Sequence, residues 1–138
     1  MQAILIIAIT FILTEISAWV NHKYLMHGFM WYFHADHHKK DHGSVFERND
    51  LFFLMYAVPS WLLIMNGMMN AYAWYTWVGF GIAAYGLAYF LVHDIIIHQR
   101  FKIFSKSTNV YVLALRRAHK MHHKHLSKHN GESFGMLF

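Results

Sequence analysis

Residues 71–100 read AYAWYTWVGFGIAAYGLAYFLVHDIIIHQR, and from Ala71 to Val92 there is no Asp, Glu, Lys, Arg or His. A helix that crosses a bilayer needs about 20 mainly apolar residues, and this run supplies them. It has no polar stripe of the kind that a surface helix in a soluble bundle shows. His93, Asp94 and His98 follow directly. Two other stretches repeat the theme. Ala3–Val20 contains one carboxylate, Glu15, and leads at once into His22 and His27; Leu51–Met65 is free of charge and can continue to Met69. The first stretch has neither a positive leader nor a clear small-residue cleavage site, so it reads as a retained span and not as a signal peptide. The chain has 138 residues, 57% hydrophobic, 18% aromatic and only 14% charged. We expect one domain, 1–138, folded as an all-α integral membrane helical bundle.

Charge placement orients the bundle. Lys23, Lys39, Lys40 and Arg48 lie between the first and second runs. Arg100, Lys102, Lys106, Arg116, Arg117, Lys120, Lys124 and Lys128 follow the third, and these complete the 12 Lys and Arg of the chain. The positive-inside rule puts both segments in the cytoplasm, with the N-terminus outside and three spans. The expected location is the cytoplasmic membrane. Cysteine is absent, which excludes disulfides, thiolate-held iron–sulfur clusters and a Cys nucleophile.

Ten of the thirteen histidines form two copies of one pattern. His22-x4-His27 is followed by His34-x2-His37-His38, and His93-x4-His98 by His119-x2-His122-His123. The neutral imidazole is the commonest metal ligand in proteins, and ten are too many for one ion. Both copies fall on the predicted cytoplasmic side, so the pattern points to a cytoplasmic histidine-rich di-metal site. Residues three and four apart share a helix face, so His34 can point with His37 and His38, and His119 with His122 and His123. His22 and His27 are about 140° apart on an ideal helix. They meet only if the helix ends, bends or bulges between them, and the same holds for His93 and His98. Imidazole suits Zn, Cu, Ni or Fe. Structural zinc takes four ligands and catalytic zinc usually three, so five per ion tilts toward iron. His42, His125 and His129 lie outside the pattern and read as solvated surface.

Carboxylates should accept the second ring N–H of ligating histidines. Glu15, seven residues before His22 and inside a span, and Asp94, beside His93, are the two acids assigned to the catalytic machinery; Asp36 and Asp50 are further candidates. Among local elements, the first helix should carry His22 and His27 and end near Gly28–Trp31. His34–Lys40 reads as a helical segment and His42–Ser44 as a loop. Pro59 should kink the second span, and Asn66–Gly67 is a turn signal. The third helix should run from Ala71 through His98. Asn109–His125 should form a basic, apolar helix near the membrane surface. Some of Trp19, Phe53, Tyr56, Trp61, Tyr85 and Tyr89 should line the path of a lipid substrate.

The histidine boxes resemble those of the membrane fatty acid hydroxylase and desaturase superfamily. More narrowly, the chain resembles bacterial beta-carotene 3-hydroxylases. This rests on His22-Lys23-Tyr24-Leu25-Met26-His27-Gly28, His34-Ala35-Asp36-His37-His38, Phe46-Glu47-Arg48-Asn49-Asp50-Leu51, Tyr85-Gly86-Leu87, Val92-His93-Asp94, His98-Gln99-Arg100, Ala118-His119-Lys120-Met121-His122-His123 and Ser133-Phe134-Gly135. The resemblance implies an oxygen-dependent, non-haem di-iron monooxygenase that hydroxylates the beta-ionone ring of beta-carotene at carbon 3, giving cryptoxanthin and then zeaxanthin. It implies two iron ions, held by His22, His27, His34, His37, His38, His93, His98, His119, His122 and His123, with dioxygen as co-substrate. No dinucleotide fingerprint is present, so the electron donor is external. A net charge of +5 suits an acidic ferredoxin or similar protein, although membrane lipid headgroups would also attract it. No nucleic-acid partner is expected. Two other readings stay open: a fatty acyl or sterol hydroxylase or desaturase, and a histidine-rich membrane metal-binding protein or transporter.

Overall fold

The computed structural model describes residues 1–39 and 46–137, and among these every regular element is helical. Helix α1 spans Gln2–Val20 and passes without a break into a π-helical segment, Asn21–Met26. A single turn of helix, α2, covers Trp31–His34. A short 3-10 turn at Arg48–Asp50 opens α3, Leu51–Met69. Helix α4 runs from Trp74 to Tyr89 and again passes into a π segment, Phe90–Ile97. Helix α5 covers Val110–His122 and is capped by Asn109, whose side chain accepts from the amides of Tyr111 and Val112. Gln2–Met26, Arg48–Met69 and Trp74–Ile97 are each long and apolar enough to cross a membrane. The expected loop at His42–Ser44 lies outside the described residues.

Helix α4 is the centre, packed on one side by α1 and on the other by α3. Small residues permit the close approach, as membrane helix pairs require. A Cβ on Gly81 would come within 2.6 Å of Thr10 Cβ and 2.9 Å of the Ile7 carbonyl on α1. Ser60 on α3 donates to the Gly79 carbonyl at 2.8 Å. Most large apolar side chains on the outside of the three helices are exposed. The buried positions are largely polar, the inverse of a soluble core and the arrangement expected when lipid is the solvent.

The structure departs from the sequence expectations at three places. Asn66–Gly67 does not turn: α3 continues to Met69, and Gly67 faces Thr76, whose Oγ1 would stand 2.0 Å from an added Cβ. That glycine serves helix approach. The turn falls later, at Ala71 and Tyr72, which take left-handed φ of 52° and 57°, so α4 begins at Trp74 and not at Ala71. The helical segment expected at His34–Lys40 is Trp31–His34 instead, and residues 35–38 form turns. Pro59 lies inside α3, which runs on through it.

Candidate metal centre

Each His-x4-His pair begins inside a π segment and ends on the residue that caps it, His27 or His98, and this resolves their spacing. The His27 amide donates to the His22 carbonyl at 3.1 Å, and the His98 amide to the His93 carbonyl at 2.8 Å. These are i→i+5 bonds, so residues five apart stack one turn above the other instead of diverging. The ring centroids are 5.3 Å apart for His22 and His27 and 4.5 Å for His93 and His98. Of an end, a bend or a bulge, the bulge is what meets the spacing, twice, at the ends of two helices that pack against each other.

The ten patterned histidines gather into two adjoining clusters. His22, His27, His34, His38 and His122 bring one ring nitrogen each within 4.8 Å of all the others, and so do His37, His93, His98 and His119. His123 joins the second group through His119, Nε2 to Nε2 at 2.8 Å. The clusters do not follow the two sequence copies. His37 leaves its neighbours His34 and His38 for the second cluster, and His122 leaves His119 and His123 for the first. The contact between clusters is close: His38 stacks on His123 with centroids 4.6 Å apart.

Six of these rings turn Nδ1 outward to an acceptor. His22 Nδ1 donates to the Phe134 carbonyl (2.9 Å), His38 to the His125 carbonyl (2.9 Å) and His122 to the Glu132 carbonyl (2.8 Å). His34 meets Asn49 Oδ1 at 2.6 Å, His37 meets Glu47 Oε2 at 2.6 Å and His93 meets Asp94 Oδ1 at 3.1 Å. A carbonyl or carboxylate can only accept, so each of these rings carries its proton on Nδ1 and a bare lone pair on Nε2. The Nε2 atoms converge. His34 Nε2 lies 3.1 Å from the Nε2 of both His22 and His38, His27 Nε2 3.3 Å from His122 Nε2, and His98 Nε2 2.7 Å from His119 Nε2. His37 Nε2 is buried with no hydrogen-bond partner. Adjacent ligands at about 2.1 Å from one octahedral ion stand about 3.0 Å apart. The facing lone pairs of His22, His34 and His38 repel unless a cation lies among them, and the donor set of each cluster fits a metal ion.

Protonation is not the alternative. Burial, reinforced by the neighbouring rings, lowers His27 from the ordinary value to about 4 and His38 and His123 to about 2. Burial likewise takes His34 to about 3, against the opposing Asn49 hydrogen bond, and drives His37 and His119 down in the same direction. The rings are held neutral, the form that binds metal.

Of the acids read from the sequence, Asp94 faces a ring as expected. Glu15 does not: its carboxylate accepts from Tyr85 Oη (2.6 Å) and from the amides of Met136 (3.2 Å) and Leu137 (2.9 Å). Asp36 pairs with Arg48, backbone and side chain, and Asp50 caps the Glu47 amide and pairs with Arg100 at 2.9 Å. Glu47, Asn49 and Arg100 received no role from the sequence. Arg100 also reaches Glu47 at 3.6 Å and Asp94 at 3.5 Å, tying together the two carboxylates that hold His37 and His93. The signal for Glu47 and Asn49 was available in the Phe46–Leu51 segment. The three carbonyl acceptors have none, because any residue carries a carbonyl.

The fatty acid hydroxylase family model matches residues 7–138. The chain belongs to the fatty acid hydroxylase family. Within it, the chain is 41% identical over 134 residues to a beta-carotene hydroxylase of Pantoea ananas, covering 97% of this chain and 75% of that protein. It is 37% identical to the beta-carotene hydroxylase of Pseudescherichia vulneris, with the same coverage. Identity to a beta-carotene hydroxylase of a Paracoccus strain is 33%, over all of this chain and 85% of that protein. No solved structure matches. The resemblance read from the histidine boxes is thus borne out at the level of family and of bacterial beta-carotene hydroxylase relatives.

Proposed function

We propose that this chain is a di-iron monooxygenase that hydroxylates the beta-ionone ring of beta-carotene at carbon 3, giving cryptoxanthin and then zeaxanthin. The observation that carries the reading is the pair of convergent Nε2 clusters at the ends of lipid-length helices, in a chain similar to beta-carotene hydroxylases. His22, His27, His34, His38 and His122 would hold one iron, and His37, His93, His98, His119 and His123 the other. Iron supplies the redox chemistry for activating dioxygen and attacking an unactivated C–H bond. One oxygen atom enters the new hydroxyl and the other leaves as water, with two electrons and two protons supplied. The whole chain acts as a single hydroxylase domain.

The protein's own residues set the ligand geometry and the surroundings. Asn49, Glu47, Asp94 and the three carbonyls hold the Nδ1 protons, and so fix the tautomer that leaves Nε2 free. The Phe134 ring packs edge-on against His22, His27 and His122, with centroids 5.1–5.5 Å away, and keeps water off the first cluster. A mostly apolar cavity of about 170 Å³, lined by Ile97, Leu115, Ala118, His119 and Met136 among others, reaches the second. This is where the substrate ring would approach. The basic segments support a site on the cytoplasmic side of the cytoplasmic membrane, where an acidic ferredoxin or similar donor would supply electrons.

Expression in cells that accumulate beta-carotene tests the reading. The expected products are cryptoxanthin and then zeaxanthin, with one atom from labelled dioxygen in each hydroxyl. Unchanged beta-carotene alongside hydroxylated fatty acyl chains or sterols would move the substrate class. Metal binding without oxygen consumption would leave a metal-binding membrane protein.

A further inference from the structure

Residues 131–137 return to the first cluster from the far end of the chain. They supply two of its Nδ1 acceptors, the Phe134 carbonyl for His22 and the Glu132 carbonyl for His122. They also supply the Phe134 ring, and Gly131 packs where a Cβ would meet both that ring and His27 Cε1, at 2.8 and 3.3 Å. Among the described residues, the tail acceptors seen serve first-cluster rings; in the second cluster, His37 and His93 are held by Glu47 and Asp94.

Two attachments hold this tail in place. Tyr111 Oη on α5 donates to the Leu137 carbonyl at 2.7 Å. The other is Glu15, in the first span and 3% exposed. One of its oxygens accepts from both tail amides and the other from Tyr85 Oη. A carboxylate in a membrane-spanning helix is costly unless its acceptor capacity is used, and here three donors use it. Two of the three belong to the tail.

We propose that Glu15 is a positioning residue for one metal of the pair: it latches the C-terminal tail, and the latched tail orients His22 and His122. The inference rests on the two-metal reading. Glu15 touches no described histidine, so its influence runs through the tail, whose ring acceptors serve His22 and His122 of the first cluster. In the second cluster, His37 and His93 take their Nδ1 acceptors from Glu47 and Asp94 instead.

The absence of cysteine gives a clean probe. Met136→Cys places a single thiol at a buried tail position (6% exposed), and maleimide labelling reads the latch. Metal analysis after graded chelation reads the two sites. With Glu15 intact, the thiol is protected and two ions resist the chelator. In Glu15→Leu the thiol labels readily, and one ion is held about 10–100-fold more weakly, the usual effect of losing an outer-shell partner, while the other is unchanged. Glu15→Gln keeps an amide oxygen for the tail and restores most of the protection and the second ion. A labelled tail with both ions held normally would overturn the proposal, as would a protected tail in Glu15→Leu. If Glu15→Leu does not fold, Tyr111→Phe decides: it loosens the same tail from the other side and must weaken the same single ion. Failure of the unaltered protein to bind two ions would instead remove the two-metal reading itself.

Discussion

Asn49 offers the sharpest test of how the rings are held. Its Oδ1 lies 2.6 Å from His34 Nδ1, and the two residues are 8% and 1% exposed. Solvent therefore cannot take over the hydrogen bond when the amide is removed. Asn49→Leu keeps the branched shape and the heavy-atom count and deletes the acceptor. A buried donor left without a partner costs about 1–3 kcal/mol. At about 1.4 kcal/mol per tenfold, that corresponds to a loss of roughly five- to 150-fold in affinity for the ion His34 would hold. The range brackets the 10–100-fold effect typical of outer-shell partners. Asn49→Asp keeps an acceptor at the same position and should stay close to native. Chelator competition on detergent-solubilised protein, followed by metal analysis, measures both. One ion should leave Asn49→Leu early and the other at the native chelator concentration. Retention of both ions would refute the reasoning, and so would equal weakening of both.

Three further outcomes are expected. His27, His34, His38 and His123 are lowered to about 4, 3, 2 and 2 in the folded state, whereas in the unfolded chain they take up protons near pH 6.5. The stability of metal-free protein should therefore be full above about pH 6.5 and fall as the pH drops toward 4; a flat unfolding midpoint across that window contradicts this. Gly81→Ala should cost about 1–3 kcal/mol by forcing α1 and α4 apart, while Gly86→Ala, with nothing within 4 Å of its Cβ, should be neutral or stabilising by up to about 1 kcal/mol; thermal unfolding in detergent that shows equal effects would count against the packing. Finally, His37→Ala and His93→Ala should weaken the same ion, so their combination still holds one, whereas combining His37→Ala with His34→Ala should lose both.

The spans were legible in the sequence because the criterion, about twenty apolar residues, is a property of composition. The need for a break in α-helical geometry was legible too: a five-residue spacing cannot be satisfied on an α-helix, and of an end, a bend or a bulge it is the π segments at Asn21–Met26 and Phe90–Ile97 that meet it. Gly67 was misread because a glycine beside an asparagine signals a turn in the local chain, while its actual neighbour, Thr76, comes from the next helix. Glu15 stood out as an acid in a span, but its tail partners lie 121 and 122 residues away, and no local pattern reports a contact of that separation. Main-chain acceptors for His22, His38 and His122 leave no mark in residue type at all.

The exchange of His122 follows from helical geometry on α5, and the turns at residues 35–38 split His37 from His34 and His38 in the same way. In a His-x2-His-His box, the residue four ahead lies about 40° from the first, and the residue three ahead about 60° to the other side. A box is thus a fork, with one prong joined to the first histidine and one turned away. His34 and His38 stay together, and so do His119 and His123, while His37 and His122 reach across. Each box therefore contributes to both clusters, and the π-segment pairs, His22 with His27 and His93 with His98, each belong wholly to one. The two sites are therefore built from shared segments. Neither cluster is complete unless the segment around α2 and helix α5 are docked against the ends of α1 and α4 together. The ligands of each cluster nevertheless keep their own outer partners: Asn49 and main-chain carbonyls hold His34, His22 and His122 in one, and Glu47 and Asp94 hold His37 and His93 in the other. Shared segments with separate outer partners are why loss of one partner should be felt by one ion.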